Sequence, residues 1–196
     1  MGRVKRRYTK HSRRQLQLQF VQKAKKTRDE ARFPYLGRFR RREEFLKVFG
    51  TTRQHPRSLF LDLDGTLIRL YPGRRSHRTP EFRPHFEDFI AAAGQFANLF
   101  VFSATNPVRL RHIADRFLGS RFTGFLDHRF MSRRKKNIDW LAQVESEVLI
   151  VDDMPWMVSK WSQKYLVPVS TWKGDKNDAE LLSVLARIRQ KWNLLA

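Results

Sequence analysis

The chain has 196 residues, 41% of them hydrophobic, with 40 Lys+Arg against 19 Asp+Glu and a formal charge of +21. That length holds one domain of ordinary size plus an extension, and that charge points to a polyanionic partner, RNA first among them. The absence of Cys excludes disulfides, thiolate zinc sites and a cysteine nucleophile, and no apolar run approaches the roughly 18 residues of a membrane-spanning helix, so no membrane partner is expected.

Charge is concentrated at the start, where residues 1–56 carry 18 basic and 4 acidic side chains and no acid precedes Asp29. Arg3, Lys5, Arg6, Arg7, Arg13 and Arg14 come first, then Lys23, Lys25 and Lys26, and after a Pro and a Gly come Arg38, Arg40, Arg41 and Arg42. Only the weakly apolar Leu16-Gln17-Leu18-Gln19-Phe20-Val21 interrupts them. Such a segment cannot bury enough surface to fold alone, while its Arg, Tyr and Phe suit phosphates and exposed bases. Residues 1–56 therefore read as an RNA-binding extension, with ribosomal RNA inside a ribonucleoprotein as the expected partner. An Arg-rich, acid-poor start also fits a mitochondrial presequence, so a mitochondrial location is expected. Lys5-Arg6-Arg7 gives a nuclear or nucleolar address as the alternative.

From Arg57 the texture becomes that of a folded domain, residues 57–196. Ser58-Leu59-Phe60-Leu61-Asp62-Leu63-Asp64-Gly65-Thr66-Leu67 is an apolar run closed by two acids and a glycine, which predicts a buried strand turning into a loop at its carboxyl end. A helical pattern covers Phe86 to Phe96, and a second strand is predicted at Asn98-Leu99-Phe100-Val101-Phe102 before Ser103-Ala104-Thr105-Asn106-Pro107. Helical patterns follow from Val108 to Phe117 and from Ile138 to Val144. The third strand is Val148-Leu149-Ile150-Val151, ending in Asp152-Asp153-Met154-Pro155, and a last helix is predicted from Asp178 to Trp192. Continuously apolar strands alternating with helices predict an α/β fold, a Rossmann-like parallel sheet covered by helices on both faces. In such sheets the chemistry gathers at the carboxyl ends of the strands.

Asp62, Asp64, Ser103, Asp152 and Asp153 all fall at those ends and are expected to meet in one crevice. Carboxylates packed without a cation repel one another, so a hard divalent ion with oxygen ligands is their natural counterpart, and Mg2+ fits that description. Magnesium held by carboxylates without His or Cys usually serves a phosphate substrate. The plainer reading of Asp62 and Asp64 is a turn and a helix cap, as Asp-Gly pairs often make. Ser103 could equally cap a helix. Lys136 closes the run Arg133-Arg134-Lys135-Lys136 and could belong to a basic surface instead of the crevice.

These motifs resemble those of the haloacid dehalogenase superfamily, in the branch of the RNA polymerase II carboxy-terminal-domain phosphatases and their small relatives. Asp62-Leu63-Asp64-Gly65-Thr66-Leu67 is similar to the first motif, Phe102-Ser103-Ala104-Thr105 to the second, Lys136-Asn137-Ile138 to the lysine motif and Ile150-Val151-Asp152-Asp153-Met154-Pro155 to the acid pair. Phe82-Arg83-Pro84 with Phe86 and Phe89 is like that branch's arginine-proline segment, and Gly174-Asp175 with Asp178, Leu181 and Leu182 is like its last helix. The resemblance spans roughly residues 57 to 190. It implies Asp62 as nucleophile and Asp64 as general acid and then base. It also implies Mg2+ held by Asp62, the Asp64 backbone carbonyl and Asp153 with Asp152 alongside, and Ser103 and Lys136 as contacts to the phosphoryl oxygens. The stretches from Thr66 to Arg83 and from Asp115 to Lys136 are shorter than in the protein-directed members, where they help to hold a peptide.

The remaining features say less. Trp140, Trp156, Trp161, Trp172 and Trp192 read mainly as core or interface, and the six His have no metal-ligand spacing. Arg74-Arg75-Ser76-His77-Arg78 could meet RNA or a substrate phosphate near the crevice, or be an ordinary solvated loop. Two function classes follow. One is a Mg2+-dependent phosphatase recruited to RNA by its basic arm, acting on a phosphorylated substrate. The other is a structural or assembly component of a mitochondrial ribosome that uses the phosphatase fold as a docking body.

Overall fold

The computed structural model describes residues 54–69, 79–142 and 147–194, with the side chain of Trp140 outside that description. The expected RNA contacts from Arg3 to Arg42, and the basic loop Arg74 to Arg78, lie outside the described residues.

Five strands form one parallel sheet: β1 Arg57–Leu61, β2 Asn98–Phe102, β3 Gly124–Leu126, β4 Glu147–Asp152 and β5 Leu166–Pro168, in the spatial order β3-β2-β1-β4-β5. The chain winds outward through β2 and β3 on one side of β1, then returns to pair β4 with its other edge. This puts the topological switch between β1 and β4. Every residue of β2, and all but the first of β1 and β4, is buried. Because successive side chains point to opposite faces, both faces of the sheet are covered, as the apolar runs require. Phe60 and Phe100 stack across β1 and β2 with ring centroids 4.9 Å apart.

Among the described residues four α-helices accompany the sheet: α1 Phe86–Gly94, α2 Pro107–Ile113, α3 Asp139–Ala142 and α4 Glu180–Lys191. Helix α1 buries Phe86, Phe89, Ile90 and Ala93 on one stripe and carries Glu87 and Asp88 in its first turn, where acids complement the helix dipole. Helix α4 buries Leu181, Val184 and Ile188, and the next residue after it, Trp192, sets its ring edge-on to Phe96 at 5.9 Å. Among the described residues no helix is long and apolar enough to cross a membrane.

The chain departs from the predicted elements in three places. The helix expected to run to Phe117 stays α-helical only to Ile113 and continues as a π-helical turn, Ala114–Leu118, that ends at Gly119 with φ 59°. That wider turn sends both Ala114 and Leu118 into the core. The helix expected from Ile138 to Val144 is the single turn α3, with residues 143–146 outside the described set. Strands β3 and β5 were not anticipated, because three residues are too few to carry a strand pattern of their own.

A fully buried arginine ties the frame together. Arg83, 1% exposed, donates from Nε and Nη2 to both carboxylate oxygens of Asp178, at 2.8 and 2.7 Å. Its Nη1 reaches the Ser170 carbonyl at 2.9 Å and the Thr66 carbonyl at 3.4 Å. One planar fork thus joins the loop after β1, the exit of β5 and the start of α4.

Candidate active site

The site is built on the turn that follows β1. Asp62 keeps the sheet register by donating its N–H to the Val151 carbonyl at 2.9 Å, and the backbone then reverses, with Leu67 and Ile68 N–H groups both bonded to the Leu63 carbonyl. Gly65 makes the reversal possible, at φ 86°, a region that L side chains rarely adopt. A Cβ at this position would also lie 2.4 Å from an Asp153 carboxylate oxygen. The glycine therefore lets two strand ends come close enough for their acids to share a space.

Asp62, Asp152 and Asp153 each present a carboxylate oxygen within 4.8 Å of the others, and all three are buried. Asp153 is held by hydroxyls: Thr171 Oγ1 donates to Oδ2 at 2.7 Å and Thr66 Oγ1 to Oδ1 at 3.3 Å. Asp152 accepts from the Met154 N–H at 2.8 Å. Lys136, 2% exposed, directs its ammonium between Asp62 Oδ1 and Asp152 Oδ2, the latter at 2.6 Å. Its backbone is fixed by bonds to Met157 and Ser159, at 2.7 and 2.8 Å. Arg133, Arg134 and Lys135 are exposed, so the basic run divides, with three members on the surface and the fourth in the crevice.

Asp62, Asp152 and Lys136, with Asp64, Ser103 and Thr105, line a cavity of about 250 Å3 at the carboxyl ends of β1, β2 and β4. Ser103 is buried and accepts the Thr105 N–H at 3.2 Å. The Asp64 carboxylate turns away from the acid cluster and forms a two-pronged ion pair with Arg109, on α2. Arg109 also donates to Thr105 Oγ1 at 3.0 Å, while its own N–H is capped by Asn106 Oδ1 at 2.9 Å. The side chains brought together around one point are thus Asp62, Asp152, Asp153 and Lys136, with Ser103 in the wall and Asp64 at its Arg109 partner.

Arg109 escaped the sequence reading, although it left a signal. Asn106 and Pro107 mark a helix start, and an Arg in the first turn opposes the helix dipole, so it needs an acid nearby. Thr66 and Thr171 left none, since isolated hydroxyls are too common to single out.

Three carboxylates against one ammonium leave an excess of negative charge. Burial pushes the Asp62 carboxyl up to about 8, with Lys136 opposing the shift and Asp152 and Asp153 adding to it. Burial likewise raises Asp153, against the hydrogen bond from Thr171. Burial works against the Lys136 ammonium, but Asp62 and Asp152 outweigh it and hold its pKa above the ordinary lysine value. A divalent cation would relieve this excess, and an all-oxygen donor set is what a hard divalent cation takes. The residues present fit such an ion.

A family model for NLI interacting factor-like phosphatases matches residues 57–192. The chain belongs to that family. It is also 28% identical over 158 aligned positions to the CTD nuclear envelope phosphatase 1 homolog of Caenorhabditis elegans, covering 65% of this chain and 63% of that protein. Fission yeast RNA polymerase II CTD phosphatase Fcp1, bound to beryllium fluoride, superposes with a TM-score of 0.50 at 18% identity, over 78% of this chain and 54% of that one. A further Fcp1 structure gives 0.49 at 20% identity, over 78% and 56%. The chain thus spans less than two thirds of the length of each of these proteins. The expected superfamily branch and the parallel α/β sheet both stand. The mitochondrial location does not: a relative named for the nuclear envelope overturns the placement expected from the basic arm.

Proposed function

We propose that the protein hydrolyses phosphomonoesters with Mg2+ as its ion, through an aspartyl-phosphate intermediate on Asp62, and that its basic arm brings this activity to RNA. The observation that carries the reading is the meeting of Asp62, Asp152 and Asp153 with Lys136, three of which, Asp62, Asp152 and Lys136, line one cavity with Ser103 and Asp64. Asp62, Asp152 and Asp153 are the side chains that would hold the ion. When bound, the ion offsets the repulsion between a phosphate dianion and the acids.

The chain's own residues then divide the reaction. A carboxylate oxygen of Asp62 attacks phosphorus, the bond from phosphorus to the ester oxygen breaks, and its electron pair leaves with that oxygen. Asp64, at the cavity wall, supplies the proton that the departing oxygen needs. Water next attacks the phosphorus, Asp64 takes its proton, and the Asp62–phosphorus bond breaks to release phosphate. Lys136 faces the equatorial oxygens with a buried positive charge, and Ser103 Oγ can donate to them, so both stabilise charge where it develops. Arg109 grips Asp64 at the cavity wall and so sets where this proton carrier stands. For the compartment, the name of the Caenorhabditis elegans relative supports the nuclear envelope.

The test is direct. Purified protein given a generic phosphomonoester and Mg2+ should release inorganic phosphate. Asp62→Asn should lower that rate by more than about a thousandfold, because the nucleophile is lost. Turnover that is no higher than in the Asp62→Asn protein would reject the enzymatic reading.

A further inference from the structure

Behind the wall that carries Lys136 lies a second and larger cleft, of about 650 Å3, which the proposed chemistry does not use. The wall is two short segments paired side by side, Lys136 against Val158, and side chains alternate across it. Lys136 and Met157 face the catalytic cavity, while Lys135, Asn137, Trp156 and Val158 face the cleft. Arg133, Lys160 and Trp161 complete its useful chemistry, and no carboxylate lines it among the described residues.

The indoles of Trp156 and Trp161 are 63% and 62% exposed, against 2% and 6% for Trp172 and Trp192. Large aromatics left this open beside cations are the composition of a stacking platform, not of a core. Lys160 Nζ stands 4.6 Å from the centre of the Trp161 ring, and Lys135 Nζ donates to the backbone carbonyl of Trp156. The platform is fixed in place. Gln163 Nε2 donates to the Pro155 and Val158 carbonyls at 2.7 and 3.2 Å, and Ser162 Oγ accepts the Ile138 N–H at 2.9 Å.

The rim is held at a cost. Ser132 and Lys135 exchange backbone bonds at 2.9 Å around Arg133 and Arg134, whose φ angles are 48° and 61°. That is a two-residue turn with positive φ at both central positions, where Asn-Gly would sit without strain. Two arginines there keep a pair of solvent-exposed cations at the mouth of the cleft instead.

We propose that this cleft binds single-stranded nucleic acid, with bases stacked on Trp156 and Trp161 and the phosphate backbone against Arg133, Lys135 and Lys160. Exposed π faces alternating with cations, with no acid to repel phosphates, match that ligand in both shape and charge. The inference is independent of the phosphatase reading, since binding here needs neither Asp62 nor an ion. It is also separate from the arm, which would supply charge but has no Trp.

The experiment compares two probes of equal length and charge on the full chain: a labelled single-stranded RNA 12-mer and an abasic sugar–phosphate 12-mer. Wild-type protein should prefer the base-bearing probe by about 25-fold or more, and Trp156→Ala/Trp161→Ala should abolish most of that preference, each indole being worth at least about fivefold. The salt dependence should stay as in wild type, because no phosphate contact is removed. Trp156→Phe/Trp161→Phe should restore most of the preference, and it decides the matter if the alanine protein proves unstable. Equal binding of the two probes by wild type, or an undiminished preference in the alanine protein, would overturn the proposal. So would an acidic peptide that displaces the RNA through the same two tryptophans at lower concentration.

Discussion

Arg109 and Lys136 divide the carboxylates of the cavity between them. Lys136 takes Asp62 and Asp152, and Arg109 takes Asp64, so each acid of the first motif has its own cation. The two cations differ in setting. Lys136 is sealed in at 2% exposure, whereas the Arg109 fork reaches Asp64 from the first turn of a helix near the cavity wall. In the proposed reaction Arg109 is therefore a positioning residue, which fixes the carboxylate assigned to the proton transfer. Arg109→Leu should lower turnover by about a hundredfold with little change in KM, since the acid loses its aim while phosphate keeps Lys136 and Ser103. Steady-state kinetics on the variant would read this directly. A raised KM with unchanged kcat would instead assign Arg109 to substrate binding.

At the scale of elements, the decisive contact is the buried pair between the arginine-proline segment and α4. Hydrogen bonds from Arg83 lower the Asp178 pKa, with burial acting in the opposite sense and the Glu180 N–H helping. A carboxyl whose folded pKa is depressed contributes stability that is present above its unfolded value, about 3.9, and is lost as pH falls through the folded value. Asp178→Asn leaves the Arg83 charge buried without its counter-ion. It should cost about 3 kcal/mol at pH 7, and the difference from wild type should shrink as both are acidified below pH ~4. Urea unfolding at a series of pH values measures it. The same pair explains why α4 begins where it does, because Asp178 Oδ1 also accepts the Glu180 N–H at 3.0 Å.

For the whole molecule, the distribution of charge matters more than its sum. Residues 57–196 carry 22 basic and 15 acidic side chains, while residues 1–56 carry 18 and 4. If the arm is the principal RNA contact, deleting residues 1–56 should weaken binding at low salt and flatten the dependence of log affinity on log salt, because each lost phosphate contact removes its released counterion. An affinity measured by titration at several salt concentrations should show both changes. An unchanged slope would place the RNA contacts in the folded domain, where the cleft at Trp156 and Trp161 is the available surface.

The sequence by itself determined the central strands and their acids. β1, β2 and β4 are buried on both faces, so burial wrote them as unbroken apolar runs, and the acids that follow or close β1 and β4, Asp62, Asp64, Asp152 and Asp153, stood out against them. It also isolated Lys136 and Ser103 as candidates, though not the side of the wall on which Lys136 would fall. That side was decided by the local turn at Arg133-Arg134 and by pairing with Val158, a segment more than twenty residues away. Tertiary structure alone joined Arg109 to Asp64 and clasped Asp153 between Thr66 and Thr171. It also buried Trp172 and Trp192 while leaving Trp156 and Trp161 open. Periodicity records how much of a residue is covered along its own element. Which partner covers it depends on how distant elements pack, and that information exists only once the chain has folded.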